Sequence, residues 1–412
     1  MLRDDPVAIV GVAVPRVAKH IPDETATSLT LKSILAALDD AGLEPSDVNG
    51  MCATWPGPGG SHQAWSTNWA RQLGVTLNWV IDEGLDVGGI RGVLNAAAAI
   101  KAGLCETVVV ATATAGGPPQ SGRDRMAAIH HGGPQFVSGA TSSDGHGDVT
   151  HAALEFNHPY GGSGAIHRFA LNAMRHMHDY GTTHEQIAEV AATIRNNGYR
   201  NPEAMHFGRG PFTVEDILAS RWIAEPLHLL ECSLVGQCGV AVVLTSGERA
   251  RDLKRPPVYV LAGAMEMDDG PHHNPALNRV NGNLGGDRMK VAYSQVGITP
   301  GDIDVLSVYD PTAFEVIRNL EMLGFCRPGE GGPFVESGAI ALGGKIPTNT
   351  DGGLLSHAWS TMGQLLLKVI EGARQLRGDC GDRQVEAAEL AVCTNSVPGA
   401  HHVEALILGS RA

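Results

Sequence analysis

One short pattern occurs twice in the sequence, at an offset of 255 residues. Residues 37–48 read ALDDAGLEPSDV and residues 292–303 read AYSQVGITPGDI. The two copies share a glycine, a proline and an aspartate: Gly42, Pro45 and Asp47 in the first, Gly297, Pro300 and Asp302 in the second. Each copy has the pattern of a helix that ends at a glycine and leads into a proline-containing turn. A duplicated structural unit is therefore the first expectation for this chain.

Apolar runs flank both copies in the same order. They cover residues 7–14, 48–53 and 107–113 in the first half and residues 258–264, 303–308 and 390–394 in the second. Runs without polar alternation are typical of strands that are covered on both faces. The sequence therefore predicts an α/β protein built from two duplicated βαβαβ halves.

A long stretch between the halves has no counterpart in the repeat. We predict that residues 115–224 form an inserted, mostly helical loop domain. Residues 1–114 and 225–250 then form the N-terminal half, and residues 251–412 the C-terminal half. Thr182 and Glu185 fit a capping box at the start of one inserted helix, with Gln186 beside them.

Composition and charge exclude several classes of protein. The chain has 44 acidic and 30 basic residues, a formal charge of −14, and no block of Lys and Arg that would predict nucleic-acid binding. No apolar run is long enough to span a membrane, and two acids and a proline near the N-terminus argue against a signal peptide. The seven cysteines include no Cys-x-x-Cys pair, and the paired histidines lack metal-ligand spacing. We expect a cytoplasmic protein with reduced thiols and without a bound metal.

Several segments carry a family resemblance. They are residues 180–188, 201–202, 216–221, 225–227, 323–325, 329–334 and 347–356, the last reading PTNTDGGLLS. With the duplicated halves, they resemble the thiolases, and within them the sterol-carrier-protein or lipid-transfer-protein type. The resemblance spans nearly the whole chain. It implies the thiolase fold, with a layered α/β/α/β/α core and an inserted loop domain.

The resemblance places Asp86 where thiolases have their nucleophilic cysteine, in the turn before a helix of residues 90–102. A carboxylate can attack a thioester, but the resulting mixed anhydride is a poor intermediate. Aspartate is also a favoured N-cap residue, and a helix cap is the preferred interpretation of Asp86.

Two histidine positions of the thiolases are also changed. Tyr309, followed by Asp310, stands in place of the histidine of a His-Asp-x-Phe motif. Trp359 stands in place of the Gly-His-Pro histidine, while His357, two residues earlier, either substitutes in part or faces solvent. Asn349 belongs to the same segment and is expected to border the substrate.

The fourth thiolase element is a cysteine followed by a glycine-rich turn late in the chain. Cys393 falls at this position and is either an acid/base thiol or a buried strand cysteine. Backbone N–H groups near Gly399 and at the Asp86 turn are candidates to bind an enolate oxygen.

A tyrosine in place of the first histidine, together with the missing thiol, resembles the aldolases of bacterial steroid side-chain degradation. This implies retro-aldol cleavage of a β-hydroxyacyl-CoA without a covalent acyl-enzyme. Tyr309 would relay the hydroxyl proton through water or Asp310, with His357 as a further catalytic candidate. Those aldolases have a second tyrosine where this chain has Trp359, whose indole donates a hydrogen bond but accepts no proton.

Two other functions stay open at this point. The chain is alternatively a non-catalytic, thiolase-like scaffold subunit that binds an acyl-CoA or lipid, with Trp359 filling the pocket. A third alternative is an acyltransferase that uses Cys393 or Asp86.

The resemblance also implies the partners. We expect a CoA thioester as substrate with no other cofactor, a homodimer, and a small OB-fold, zinc-ribbon acyl-CoA-binding partner protein. We expect the dimer seam at the strand of residues 107–112, since an unpaired edge strand favours pairing between chains.

Overall fold

The computed structural model describes residues 5–53, 65–82, 89–116, 165–267, 284–360, 363–396 and 402–412. Its strands are β1 (Val7–Ala18), β2 (Gly50–Cys52), β3 (Trp79–Ile81), β4 (Thr107–Ala113), β5 (Trp222–Ala224), β6 (Leu227–His228), β7 (Gln237–Ser246), β8 (Val258–Met267), β9 (Val305–Ser307), β10 (Leu390–Ser396) and β11 (His402–Gly409).

The helices alternate with these strands in both halves. They are α1 (Ala26–Ala41), α2 (Trp65–Leu73), α3 (Ile90–Lys101), α4 (Ala165–Tyr180), α5 (His184–Arg200), α6 (Val214–Leu218), α7 (Gly247–Ala250), α8 (Gly286–Val296), α9 (Ala313–Met322), α10 (Gly331–Glu336) and α11 (Gly363–Arg377). Helices α4 to α6 and the β5–β6 hairpin lie between β4 and β7 in sequence. Within the described part of the chain, no helix is both long and apolar enough to cross a bilayer.

The main sheet consists of two halves that repeat the same strand order. Its nine strands run β3-β2-β4-β7-β1-β8-β11-β10-β9. Counted from the outside inward, β2-β4-β7-β1 matches β9-β10-β11-β8, and the parallel and antiparallel pairings match as well. Within the described sheet, the two halves are joined where residues 7–9 of β1 pair with residues 258–260 of β8. The duplication predicted from the sequence is therefore confirmed.

The repeated turns also adopt the same backbone geometry. Helix α1 ends at Gly42 with φ of 73°, and α8 ends at Gly297 with φ of 77°. A short 3₁₀ turn follows each of them, over Pro45–Asp47 and Pro300–Asp302. Both glycines occupy the left-handed region, which L residues with a side chain rarely adopt.

The helices form three layers around the two half-sheets. Helix α1 packs on β1 and β7 and forms one outer layer, and α8 packs on β8 and forms the other. Helices α3 and α11 lie between the halves and contact strands of both. Their apolar side chains join those of both sheets in one buried cluster. This is the α/β/α/β/α arrangement of the thiolase fold, as the resemblance implies.

Two details differ from the sequence-based expectations. Strand β4, which contains residues 107–112, is not an edge: it lies between β2 and β7, so it cannot form the expected dimer seam. The N-terminal edge is the short strand β3 instead. The capping box of α5 also lies one residue later, since Thr183 Oγ1 accepts the Gln186 N–H at 3.3 Å and Gln186 Oε1 accepts the Thr183 N–H at 3.1 Å.

Candidate functional site

The end of β9 is held by an asparagine side chain in place of a neighbouring strand. The Val308 N–H donates to Asn349 Oδ1 at 2.8 Å, and Asn349 Nδ2 donates to the Val308 carbonyl at 3.0 Å. Asn349 has a φ of 48°, which Asn tolerates better than most residues. Both polar atoms of its side chain therefore bind backbone, an arrangement that favours support of the site over direct contact with substrate.

Tyr309 follows directly and is fixed through its backbone. Its N–H donates to Thr394 Oγ1 of β10 at 3.1 Å, and its carbonyl accepts from Asn319 Nδ2 of α9 at 3.3 Å. Thr394 and Asn319 are themselves joined at 2.8 Å. The residue is 5% exposed. Strand β10 and helix α9 thus fix the backbone of Tyr309 before any substrate binds, which contributes to the preorganisation that proton transfer requires.

The carboxylate of Asp310 is fully buried and engaged on two sides. Lys368 Nζ of α11 lies 2.6 Å from Asp310 Oδ1, and both carboxylate oxygens accept the Leu354 N–H at 3.0 Å. Burial raises the pKa of Asp310, and the ion pair with Lys368 opposes that rise. These contacts leave Asp310 poorly placed to relay a proton and favour a role as an anchor.

His357 is the last residue of a π-helical turn, Gly353–His357, and forms a buried dyad with Asp351, which lies two residues before that turn. His357 Nδ1 and Asp351 Oδ2 are 2.8 Å apart, and both side chains are 3% exposed. Burial is the largest single effect and raises the pKa of Asp351, but the hydrogen bond and charge of His357, the charge of Lys368 and the Gly353 N–H together lower that pKa below its ordinary value. His357 Nε2 is buried and has no hydrogen-bond partner within the described part of the chain. With Nδ1 donating to the carboxylate, Nε2 carries a lone pair and is suited to accept a proton.

Helix α5 of the insert packs closely against this turn. Asn197 Nδ2 donates to the carbonyls of Thr348 and Asn349, at 3.2 Å each. Gly198 faces Ser356 so closely that a Cβ on the glycine would lie 2.3 Å from Ser356 Oγ. The insert therefore supports the segment that carries His357.

Trp359 and Cys393 lie beside this framework. The backbone N–H of Trp359 donates to the Leu234 carbonyl at 2.6 Å, and the ring is half-buried against the neighbouring core. The Cys393 thiol donates to the Lys368 carbonyl at 3.2 Å, and burial raises its pKa far above its ordinary value. A reactive thiol needs the opposite environment, so this geometry favours a packing role for Cys393.

Asp86 and Gly399 lie outside the described residues. Their positions therefore stay predictions. The described chain resumes at Gly89 before α3 and stops at Ser396 at the end of β10.

Three polar groups near the site were not predicted from the sequence. Besides Lys368 and Asp351, the first turn of α3 supplies Arg91, whose Nε donates to the buried Glu404 at 2.7 Å and whose Nη2 lies 2.8 Å from His402 Nε2. Burial raises the pKa of Glu404, but His402, Arg91 and Asn395 together have the larger, opposite effect. The pKa of Glu404 therefore lies below its ordinary value. The available signal was the presence of charged residues inside apolar runs, which indicates buried partners.

In the described part of the chain, no cluster of His, Cys, Asp and Glu could hold a metal ion.

Known proteins are similar to this chain in sequence and in fold. A family model described as "Thiolase C-terminal domain-like" matches residues 287–410. The steroid side-chain-cleaving aldolase of Thermomonospora curvata is 34% identical, with 85% of this chain and 86% of that protein covered. The 17-hydroxy-3-oxo-4-pregnene-20-carboxyl-CoA lyase of Mycobacterium tuberculosis is 33% identical, over 90% of this chain and 91% of that one. Among solved structures, the Ltp2-ChsH2(DUF35) aldolase has a TM-score of 0.80 at 30% identity and covers 100% of this chain and 99% of its own.

Proposed function

Since this chain belongs to the thiolase-like family that includes the steroid side-chain-cleaving aldolases, we propose that it cleaves a β-hydroxyacyl-CoA by a retro-aldol reaction. Its reaction class is that of a carbon–carbon lyase. The substrate class is a steroid acid thioester such as 17-hydroxy-3-oxo-4-pregnene-20-carboxyl-CoA, the compound after which the mycobacterial lyase is named.

The reaction needs one base and one oxyanion site. The base removes the proton of the β-hydroxyl group, and the Cα–Cβ bond then breaks. Its electron pair passes to the thioester as an enolate, which takes up a proton at Cα. The products are a ketone and a shorter acyl-CoA, and no bond to the protein forms at any step.

Tyr309 is the residue that carries this proposal. It stands at the end of β9, fixed by Thr394 and Asn319, where it would hydrogen-bond the β-oxygen and pass on its proton. The His357–Asp351 dyad offers a buried acceptor for that proton, since His357 Nε2 has no partner among the described residues. Asp310 would anchor the two segments.

The state of the cysteines supports a mechanism without an acyl-enzyme. Burial raises the pKa of Cys52, Cys232, Cys238, Cys326, Cys380 and Cys393. A thioester is attacked by a thiolate and not by a thiol, so none of these six residues is suited to the role of nucleophile.

We also propose the assembly in which the chain acts. The partner would be a small OB-fold, zinc-ribbon acyl-CoA-binding protein. This proposal is supported by the similar Ltp2-ChsH2(DUF35) aldolase, whose name joins two components. The chain would form a homodimer through the β3 edge and act in the cytoplasm. The insert would span residues 115–224, as expected from the sequence.

The direct test uses the purified chain together with its partner. We expect 17-hydroxy-3-oxo-4-pregnene-20-carboxyl-CoA to give a 17-ketone and a shorter acyl-CoA, detected by mass spectrometry. Acetoacetyl-CoA with free CoA should give neither thiolysis nor an acylated chain. If no β-hydroxyacyl-CoA is cleaved with the partner present, the aldolase proposal fails and a scaffold role replaces it.

A further inference from the structure

Helix α11 buries a row of polar side chains, called here its polar face. The row consists of Gln364, Lys368, Glu371 and Gln375, spaced by four, three and four residues, so all four lie along one side of the helix. Buried charges persist only where partners compensate them. The partners here belong to the residues around the site.

The polar face contacts the segment of residues 349–357 near its start. Thr350 Oγ1 donates to Glu371 Oε1 at 2.6 Å, and Gln375 Nε2 donates to Thr350 Oγ1 at 2.9 Å. Arg383 pairs with the same Glu371 carboxylate. This end of the segment is thereby fixed to α11 without involving Tyr309.

Lys368 makes the contact that does involve Tyr309. Its ammonium group meets Asp310 at 2.6 Å, with the two side chains 1% and 0% exposed. Asp310 follows Tyr309 in the chain and also accepts the Leu354 N–H, in the turn that carries His357. Gly353 makes this approach feasible, because a Cβ there would lie 2.1 Å from Asp310 Oδ2.

We propose that Lys368 is a positioning residue of the aldolase: through Asp310, it holds the Tyr309 strand end and the His357 turn in a fixed relative orientation. The inference rests on the proposed function, since it assigns those two residues to the reaction. Lys368 itself touches no substrate.

The charges around Asp310 give this role a measurable signature. Lys368 faces the carboxylate from α11, Arg195 acts on it from α5, and Asp351, paired with His357, acts on it from the adjoining turn. Asp351 raises the pKa of Asp310, whereas Lys368 lowers it. Without Lys368, the carboxyl group takes up its proton at a higher pH. A protonated Asp310 holds the Leu354 N–H less well, so the defect should shrink as pH rises.

The test is the pH dependence of kcat for Lys368→Met, measured with the partner on 17-hydroxy-3-oxo-4-pregnene-20-carboxyl-CoA. We expect kcat at pH 7 to fall by about 10- to 100-fold, since a small misplacement of reacting groups costs that much. KM should change by less than about threefold, because the lost interaction acts mainly in the transition state. The acid limb of kcat should move up by about one pH unit or more.

Gln375→Met is the matched control, with the same new side chain on the same face of α11. It loses the bonds to Thr350 and to the Arg383 carbonyl but leaves Asp310 untouched. Its stability should fall while its acid limb stays in place. If the acid limbs of the parent, Lys368→Met and Gln375→Met coincide, Lys368 has only a structural role and the proposal is overturned.

A second measurement separates this inference from the proposed function. Amide hydrogen exchange over residues 353–357, corrected for the intrinsic rate, should be faster in Lys368→Met than in the parent, and more so at pH 6 than at pH 8. Equal increases at both pH values would overturn the positioning role, even in a chain that cleaves nothing. If Lys368→Met does not fold, Lys368→Met/Asp310→Asn removes both charges. That variant should fold with a pH-independent loss of kcat, and parental kcat would overturn the proposal.

Discussion

The two halves of the molecule share a scaffold but differ in the central helix that each contributes. Helix α3 buries only apolar residues and glycine: Ile90, Gly92, Val93, Ala96, Ala97, Ala99 and Ile100. Helix α11, at the matching place between two parallel strands, buries the polar face that includes Lys368 and Glu371. The pairings and turns around both helices are the same, so the fold itself does not require these charges.

This difference indicates which half carries the chemistry. Burying a charge costs several kcal/mol and is offset only by well-placed partners. The C-terminal half accepts that cost at α11, and the partners belong to the segments that carry Tyr309 and His357. On the α3 side of the same layer, the buried face is apolar, and the partly exposed Arg91 of its first turn pairs with Glu404.

The largest expected effect lies at Tyr309. Tyr309→Phe keeps the ring and removes the hydroxyl, so folding should be retained. We expect kcat to fall by about 10²- to 10⁴-fold, the usual contribution of a positioned proton-transfer group. The measurement is steady-state cleavage of a β-hydroxyacyl-CoA with the partner present. Tyr293→Phe is the matched control. The Tyr293 hydroxyl, on α8, donates to the Leu323 carbonyl at the end of α9 at 3.2 Å, so its loss should affect only stability. A Tyr309→Phe protein as fast as the parent would contradict the mechanism.

Next in size is the loss of a buried partner on α11. Glu371→Leu leaves Arg383, itself 9% exposed at the side chain, without its counter-charge. We expect the free energy of unfolding to fall by about 3–5 kcal/mol. Ala98→Gln, on the exposed side of α3, should change it by about 0.5 kcal/mol or less. Urea denaturation of both variants measures the contrast, and equal losses would remove the distinction between the two helices.

The repeated glycines test the part of the comparison in which the halves agree. Gly42→Ala and Gly297→Ala each force a side chain into the left-handed region, at a cost of about 1–2 kcal/mol. Gly42 should be the worse of the two, because a Cβ there would also meet Lys254 Cβ at 3.0 Å, whereas Gly297 faces open space. Thermal unfolding compares them. A neutral effect at either position would argue against the shared turn geometry.

The same N-terminal half contains Asp86, which the sequence places at the start of α3. The N-cap residue of α3 is Gly89, so the interpretation of Asp86 as the helix cap is wrong. Asp86→Asn should therefore change the free energy of unfolding by about 0.5 kcal/mol or less and leave most activity intact. Intact-mass spectrometry after incubation with acetyl-CoA should detect no adduct on the parent. An acyl group on Asp86 would move the chemistry into the N-terminal half.

The smallest effect concerns the insert, which neither half repeats. Burial, with the charges of Arg195 and Arg209, lowers the pKa of His206 to about 4. The unfolded chain binds this proton below about pH 6.5, so the residue's contribution to stability is lost as pH falls from about 6.5 towards 4. His206 is only half-buried, and we expect about 1 kcal/mol or less after solvent screening. In His206→Asn, the difference in urea midpoint between pH 7 and pH 5 should be smaller than in the parent.

The fold was predictable from the sequence because its signals are local. The glycine–proline turn and the uninterrupted apolar runs indicate helix ends and covered strands without knowledge of partners. The edge of the sheet was not predictable, because β3 has three residues and shows no periodicity. Strand β4 was wrongly placed there, because its apolar run indicates that both faces are covered but not whether both edges are paired.

Candidate site residues could be proposed from the sequence, but the contacts between them could not be predicted. Tyr309 and His357 follow from where they fall in the chain. The contact of Lys368 with Asp310 joins residues 58 positions apart, and no spacing rule predicts such a pair. Asn349 shows the same limit, since a backbone role for its side chain becomes visible only when β9 is seen to end beside it.

The pairing of β1 has a consequence for how the chain is made. Val7 pairs with Ser246 on one side and with Val260 on the other, so β1 has no partner until about 240 residues have followed it. At ribosomal rates of roughly 5–20 residues per second, this strand waits on the order of tens of seconds. Loop closure over such a distance is slow, and an unpaired apolar strand invites association with other chains. Nascent chains of this protein should therefore depend on chaperones until β7 and β8 emerge.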